Sequence, residues 1–432
     1  MKRLFKKIIV WILTMEARMV LRKHAPKIVA VTGSVGKTSA KDAIFSVLNG
    51  FLDVRKNEKS FNSEIGVPLT ILGLANAWVS PLGWVRNIIL GLKPLFDTAY
   101  PKWLVLEVGA DHPGDIAAIT KWMKPDIAVI TRFAEVPVHV EAFDSPEAVY
   151  REKMHLAEAL PENGLLVYNA DDELVAGFCR KIKRRNTTFG FSFDADVRAS
   201  HAEVDYEDRG DIPVPVGTVF RIDNAGSSVP IRVQGALGAQ HVYPALTAAA
   251  VALSLEQNMI KIAESLVGHQ PPPGRMRVLE GKNGSTLIDD TYNASPVAVA
   301  EALKTLASIQ TPGKKIAVLA DMMELGPYSA AEHKAVGKQA ANIADMLVLV
   351  GARMRYAGEA AKACGMPEDK IKMFETAVAA ADFLEEHLQK GDVALVKGSQ
   401  SMRMERAVER LLAYPSLASR LLVRQEKEWK GR

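Results

Sequence analysis

The chain has 432 residues, 48% of them hydrophobic and 24% charged, with a net charge of +4. That length suits two or three domains rather than one, and the composition is that of a globular protein able to bury real cores. The mild charge demands no nucleic-acid partner; Cys179 and Cys364, far apart and outside any CxxC, argue against a disulfide framework and a zinc site and fit a reducing cytoplasm. Residues 1–27 carry Lys2, Arg3, Lys6, Lys7, Arg18, Arg22, Lys23 and Lys27 against the single acid Glu16, with Leu4, Phe5, Ile8, Ile9, Ile12 and Leu13 at helical spacing. A signal peptide needs a longer apolar run and a small-residue cleavage site, and a membrane span needs about twenty apolar residues. Two readings stay open: a basic amphipathic helix resting on a membrane surface, or a helix that packs its apolar face on the body of the protein.

Lys27–Thr32 predicts a short buried strand, then a glycine-rich turn, then a helix carrying Ala40, Ala43, Ile44, Val47 and Leu48 on one face. Residues 77–96 hold Trp78, Leu82, Trp84, Val85, Ile88, Ile89, Leu90, Leu92, Leu95 and Phe96, interrupted by Pro81, Gly83, Gly91 and Pro94. Core packing is the first reading of this segment; an apolar lid and a membrane-surface element are the others. Residues 102–108 and 126–131 predict further strands, followed by a helix from about Pro146 to Ala159 and a strand at Gly164–Asn169, the alternation of a mostly parallel sheet wrapped by helices. Residues 187–234 predict a small antiparallel β region, and a helix over Val242–Leu255 returns to the α/β pattern. Pro271-Pro272-Pro273-Gly274 is the clearest break. Beyond it, strands at Ser285–Asp290, Lys315–Ala320, Met346–Gly351, Ile371–Glu375 and Asp392–Lys397 alternate with helices as in a Rossmann-like α/β domain. The predicted organisation is a basic amphipathic segment over 1–26, a central P-loop domain over 27–271 and a Rossmann-like domain over 272–432.

Thr32-Gly33-Ser34-Val35-Gly36-Lys37-Thr38-Ser39 follows a strand and opens a helix, the context a phosphate-binding loop requires. Glycines let backbone amides approach the phosphates, the helix start adds positive potential, Lys37 meets the terminal phosphates and Thr38 offers its hydroxyl to Mg²⁺. Val31 stands where the longer form of this loop has its first glycine, so the loop is of the shorter TGxxGK[TS] type. Glu107 closes an apolar strand, where acids meet ligands in parallel sheets, and suits a hard cation.

Gly33–Ser39, Asn62-Ser63-Glu64-Ile65-Gly66-Val67-Pro68, Leu106-Glu107-Val108-Gly109-Ala110, Pro273-Gly274-Arg275, Asp289-Asp290-Thr291-Tyr292-Asn293-Ala294 and Lys397-Gly398-Ser399 occur in this order. Together they resemble the Mur ligases, from about residue 27 to about residue 415. The Asn62–Pro68 and Asp289–Ala294 stretches are most similar to the branch that adds D-alanyl-D-alanine to a UDP-N-acetylmuramoyl-tripeptide. The resemblance implies an ATP-dependent amide ligase of peptidoglycan precursor synthesis, working through an acyl-phosphate. It implies a nucleotide-sugar peptide and a dipeptide as substrates, ATP and a pair of Mg²⁺ ions as cofactors, and a monomer in the cytoplasm. By the same resemblance His139 ligates a second Mg²⁺, Lys153 is carbamylated and binds metal, and Arg275 reaches the ATP phosphates. Asp290 and Asn293 face the nucleotide cleft, and Lys397 is a further cleft candidate. Asp321, Glu324 and His333 fit a family stretch in which the last two are either functional or a structural pair. The family's GxHNxxN stretch near the adenine reads here Gly238-Ala239-Gln240-His241-Val242-Tyr243-Pro244, with Gln240 or His241 as the adenine contacts. The family's separate N-terminal UDP-binding domain has no expected counterpart, since the phosphate loop begins at Gly33. An alternative keeps the chemistry but moves it to a different or lipid-linked acceptor, with residues 1–27 and 77–96 on the inner face of the membrane.

Overall fold

The computed structural model describes residues 2–58, 61–78, 80–137, 140–210, 212–269, 271–426 and 429. Its strands are β1 (Lys27–Thr32), β2 (Val54–Lys56), β3 (Trp103–Glu107), β4 (Ile127–Ile130), β5 (Leu165–Asn169), β6 (Arg185–Gly190), β7 (Val197–Asp208), β8 (Pro213–Asn224) and β9 (Ser227–Gln234) in a first sheet. Among the described residues this sheet has nine strands, ordered β2-β3-β1-β4-β5-β6-β7-β8-β9. From β2 to β6 all pairings are parallel. Parallel strands covered on both faces read as unbroken apolar runs, which is why Ile28–Val31, Leu104–Leu106 and Ile127–Ile130 were visible in the sequence.

Helices cover both faces. On one lie α1 (Lys2–His24), α2 (Lys37–Leu48) follows on the other, and α3 (Gly66–Leu72), α4 (Pro81–Gly91), α5 (Asp115–Thr120), α6 (Pro146–Glu158) and α7 (Glu173–Cys179) return to the face of α1. The helix α8 (Ala239–Ser254), with its run of buried alanines, packs closely against α2, and α9 (Met259–Val267) lies beside them.

The second sheet comprises β10 (Arg277–Glu280), β11 (Thr286–Asp290), β12 (Lys315–Ala320), β13 (Met346–Val350), β14 (Ile371–Phe374) and β15 (Val393–Lys397), ordered β10-β11-β15-β12-β13-β14 and parallel except at β10. The helices α10 (Pro296–Ser308), α11 (Ser329–Ala341), α12 (Arg355–Ala363), α13 (Ala377–His387) and α14 (Glu405–Leu411) complete two further cores on its faces.

Three expectations change. The antiparallel region begins later than residue 187: Thr187–Gly190 belongs to β6, parallel to β5, and the antiparallel β7, β8 and β9 extend the same sheet. The Pro271–Gly274 break is followed at once by the antiparallel edge strand β10, too short and too charged at its ends to announce itself. Residues 77–96 are only half core. Ser80 caps α4 by accepting from the Gly83 amide, Trp84, Asn87 and Gly91 face inward, and Leu82, Val85, Ile89, Leu92 and Phe96 face outward. The helix α1 packs Ile9, Leu13, Ala17 and Val20 on the body, as one of its readings expected. No helix among the described residues is long and apolar enough to cross a membrane.

Gly337 sets how closely α11 and α12 approach: a Cβ there would lie 2.1 Å from the Ala357 carbonyl oxygen, a backbone atom with nowhere to go. Gly337→Ala is therefore expected to lower stability by roughly 1–3 kcal/mol in urea denaturation, despite alanine's better helix propensity. An unchanged midpoint would show that the two helices separate freely.

Candidate active site

In the first sheet β1 lies between β3 and β4, so successive connections leave its carboxyl end in opposite directions and a crevice opens there. The loop Gly33–Gly36 fills that crevice. Its Ser34 and Val35 amides donate to the Arg132 carbonyl at 2.6 and 3.4 Å. Gly33 has φ of 149°, and a Cβ there would lie 2.0 Å from Thr131 Oγ1, whose hydroxyl is held by donating to the Val35 carbonyl at 2.7 Å. Glycine is thus required by both backbone angle and space.

Lys37 begins α2, and its ammonium reaches back to the Ser34 carbonyl at 3.5 Å. Burial lowers its pKa, and Glu107 is the main opposing influence. Thr38 Oγ1 donates to Glu107 Oε2 at 2.9 Å, while Asn62 Nδ2 donates to Glu107 Oε1 at 3.0 Å. Asn57 fixes the same strand end: its Oδ1 accepts from the Glu107 amide at 2.8 Å and its Nδ2 donates to the carbonyls of Glu107 and Phe61 at 3.0 and 2.8 Å. The phosphate loop, the end of β3 and the loop after β2 therefore converge on one carboxylate.

Lys153 projects from α6, whose start is capped by Ser145. It is buried, and among the described residues its ammonium makes no hydrogen bond or ion pair. Desolvation lowers its pKa to about 7, assisted by the like charge of Lys37 and opposed by Asp111 and Glu152. His139 lies outside the described residues.

The opposite wall comes from the second sheet. Asp290 ends β11 directly across from Lys397 at the end of β15, and the two form a buried ion pair at 2.6 Å. The other Asp290 oxygen accepts from the Met276 amide at 3.2 Å, and Lys397 also donates to the Asn293 carbonyl at 2.9 Å. Lys397 thus holds the turn that carries Asn293. Arg275 lies with its guanidinium 4.0 Å from the Tyr292 ring centroid. Its carbonyl accepts from His241 Nε2 at 2.7 Å, which fixes the protonated nitrogen; burial lowers the pKa of this imidazole to about 4, so it is neutral at pH 7. His333 uses both ring nitrogens on backbone, accepting from the Met322 amide at 3.0 Å and donating to the Ser329 carbonyl at 2.7 Å. It is therefore not paired with Glu324, which faces the cleft. Asp321 directly follows β12 and accepts from the Met354 amide at 2.9 Å.

Between the two walls lies a cleft of about 710 Å³ that brings Lys37, Thr38 and Glu107 opposite Arg275, Asn293 and Ser399. A narrower pocket continues from it past Gly36 and Ser39 to Asn169, Gln240, His241 and Tyr243. Several buried polar atoms lining the two have no partner among the described residues: Ser34 Oγ, Asn169 Nδ2, Gln240 Oε1 and Arg275 Nε. Such atoms are costly unless a ligand satisfies them. The Thr38 hydroxyl and Glu107 carboxylate are hard oxygen donors side by side, which fits Mg²⁺ held partly by the protein and partly by phosphates. Among the described residues there is no group of three or more His, Cys, Asp and Glu side chains that could hold a metal ion. Asn57, Asn62, Asn169 and Tyr243 had no role in the sequence reading. A polar residue ending a buried strand, as at Asn169, was the available signal; Asn62 opens the motif Asn62–Pro68 without a role assigned to it, and for Asn57 only the fold supplies a signal.

A glycine loop between strand and helix, an acid bound to the loop's threonine, and a second α/β sheet facing them define an enzyme that works on a nucleoside triphosphate. Residues 31–252 match the Mur ligase middle domain and residues 274–400 the glutamate ligase domain of Mur ligases. The chain belongs to the Mur ligase family, ATP-dependent ligases that form peptide bonds and use Mg²⁺. It is 31% identical over 405 residues to the UDP-N-acetylmuramoyl-tripeptide–D-alanyl-D-alanine ligase of Mycobacterium tuberculosis, covering 89% of this chain and 73% of that protein. To the Bacillus subtilis ligase of the same name it is 27% identical, covering 92% and 79%. The structure of MurF ligase from Thermotoga maritima in complex with ADP superposes with a TM-score of 0.75 at 27% identity, covering 93% of this chain and 83% of that one.

Asn57→Ala removes the three hydrogen bonds that fix Glu107 to its neighbouring loop. It is expected to cost roughly 1–3 kcal/mol of stability in urea denaturation and to raise the Mg²⁺ concentration needed for half-maximal activity. A variant with the stability loss and an unshifted Mg²⁺ requirement would separate Asn57 from the metal site.

Proposed function

We propose that this enzyme joins D-alanyl-D-alanine to a UDP-N-acetylmuramoyl-tripeptide in the synthesis of peptidoglycan precursors. The observation that carries the reading is the Thr38–Glu107–Asn62 junction. It stands in the ordered motifs of this chain, and relatives bearing that activity in their names share about nine-tenths of the chain's length. The working units are proposed as the segment 1–26, a central domain over 27–271 and a C-terminal domain over 272–432, acting as a monomer in the cytoplasm.

The loop residues Gly33, Ser34, Val35 and Gly36, with Lys37, Thr38 and Ser39, bind the phosphates of ATP, the Ser34 and Val35 amides fixing the loop on the Arg132 carbonyl, and Arg275 reaches the phosphates from the facing wall. Gln240, whose Oε1 has no partner among the described residues, accepts from the adenine amino group, and His241 fixes the Arg275 backbone beside it. Asn293 faces the nucleotide, and Asp290 holds the turn through Lys397. An oxygen of the tripeptide carboxylate attacks the γ-phosphorus, the bond to the bridging oxygen breaks, and ADP leaves. The amine of the dipeptide then attacks the acyl carbon, loses a proton, and inorganic phosphate departs as the amide forms. The first step brings two anions together, so Lys37 and Arg275 offset their repulsion. Thr38 and Glu107 would hold one Mg²⁺, and His139 with a carbamylated Lys153 would hold a second; the metal would supply further charge neutralisation. The carbamate forms when the neutral Lys153 amine attacks CO₂ and releases a proton; a pKa near 7 makes that amine available at neutral pH.

A second reading changes only the acceptor, to a lipid-linked muropeptide, and is favoured by the outward apolar residues of α1 and α4. In either case residues 1–27 and 77–96 are proposed to touch the inner face of the membrane.

Phosphate release from ATP, measured with Mg²⁺ while omitting one substrate at a time, is expected to require both UDP-N-acetylmuramoyl-tripeptide and D-alanyl-D-alanine. Tight ATP binding with no release would remove this acceptor. Lys153→Ala is expected to lower kcat by on the order of a hundredfold. In the unmodified chain, labelled bicarbonate should give a carbamate signal that fades as pH falls through about 7, because protonation removes the nucleophile. A persistent signal in Lys153→Ala would assign the carbamate elsewhere.

A further inference from the structure

The outward faces of α1 and α4 are apolar where a surface enzyme would normally be polar. Phe5, Ile8, Trp11, Met15 and Met19 recur every three or four residues along α1, on the side away from its buried stripe, and Trp11 is 65% exposed. The neighbouring Leu82, Val85, Ile89 and Leu92 do the same on α4 and just beyond it, followed by Phe96; Leu82 is 83%, Ile89 67% and Phe96 82% exposed. The two helices are fastened together. Glu16 lies against Gly91 so closely that a Cβ there would sit 2.0 Å from its carboxylate, and His24 bonds the Pro94 carbonyl at 2.8 Å. Lys23 extends over the Phe96 ring at 5.8 Å, so the stripes meet at that corner.

The charges around these stripes are mostly positive. Lys7, Arg22, Lys23, Arg86 and Lys93 are exposed, and Arg18 is half-buried. Of the nearby acids, Glu16 is buried, with its pKa raised to about 7 by desolvation, Glu64 is paired with Lys6 at 2.9 Å, and Asp97, exposed beside Phe96, accepts from the Ala99 amide, so exposed cations predominate. Such a face repels a two-fold copy of itself, whereas aromatic and aliphatic tips ringed by lysine and arginine match the interface of an anionic bilayer. Tryptophan, exposed here at Trp11 and Trp78, is the side chain favoured at headgroup depth.

We propose that α1, α4 and the turn through Phe96 form one docking platform for an anionic phospholipid bilayer, lying in its surface rather than crossing it. This deepens the membrane contact proposed above and rests on it, but is independent of which acceptor the enzyme uses. The platform is tied to the catalytic cleft. The Lys6–Glu64 pair joins α1 to the loop whose Asn62 holds Glu107, and α1 packs along α3, which continues from that loop. Docking therefore places the loop that carries Asn62 and Glu64 near the lipid surface.

The test is flotation of the full-length protein with vesicles of phosphatidylcholine containing phosphatidylglycerol, against vesicles of phosphatidylcholine alone. Binding to the anionic vesicles only, weakening as salt rises, is the expected result. The double variants W11E/I89E and L82E/F96E should remain in the lipid-free fraction, while their phosphate release in lipid-free buffer matches that of the unaltered protein. The proposal is overturned if the unaltered protein stays in the lipid-free fraction at low salt, or if both variants float as well as it does. It is also overturned if the substitutions instead dissociate a dimer that binds no vesicles. The lipid-free assay reads the ligase proposal separately, so either can fail alone.

Discussion

One carboxylate organises this enzyme. Glu107 is held on one side by the phosphate-loop threonine and on the other by Asn62, with Asn57 fixing its backbone. Neither contact is local in sequence; both exist because β1 and β3 are adjacent and parallel, ending at the same edge of the sheet. A buried carboxylate is tolerated only when its oxygens are satisfied, and here the donors are the groups that must be positioned for phosphate and metal. The cost of burying Glu107 and the geometry of the nucleotide site are thus met by the same hydrogen bonds.

The second constraint is electrostatic. A ligase of this kind must bring a carboxylate to a triphosphate, and water cannot be allowed to complete the reaction. Cations come from two places: Lys37 from the start of α2 beside the first sheet, Arg275 from the segment that joins the two sheets. That segment is not a loose tether. His241 holds the Arg275 carbonyl, the Asp289 carboxylate accepts from the Gly274 amide at 3.1 Å, and the Leu237 amide donates to the Met276 carbonyl at 3.1 Å. The Arg132–Glu301 ion pair at 3.7 Å adds a bridge between the walls above the narrower pocket. Charges that would repel in isolation are kept in place by neutral backbone contacts.

Much of this was legible in the sequence. Buried parallel strands announce themselves as apolar runs, so β1, β3, β4 and β5 and most of the second sheet lay where the pattern put them. The phosphate loop was legible because its residues are dictated locally, by glycine conformation and a helix start. What was not legible depends on pairing. The antiparallel β7, β8 and β9 could be read as strands, but not as an extension of the same sheet. Asn57 and Asn169 look like ordinary polar residues until their strand ends come together. His333 sits in a motif that suggested function, and the fold uses it to bond backbone. The apolar run at 77–96 carried a composition suited to core, and only its position against α1 decides that half of it faces outward.

The account stands most directly on transfer of oxygen from the acceptor to phosphate. With the tripeptide carboxylate enriched in heavy oxygen, an acyl-phosphate route predicts one labelled atom in each released phosphate, with the remaining label in the amide product. Phosphate free of label, released in step with amide formation, would contradict the mechanism built on the Thr38–Glu107 junction.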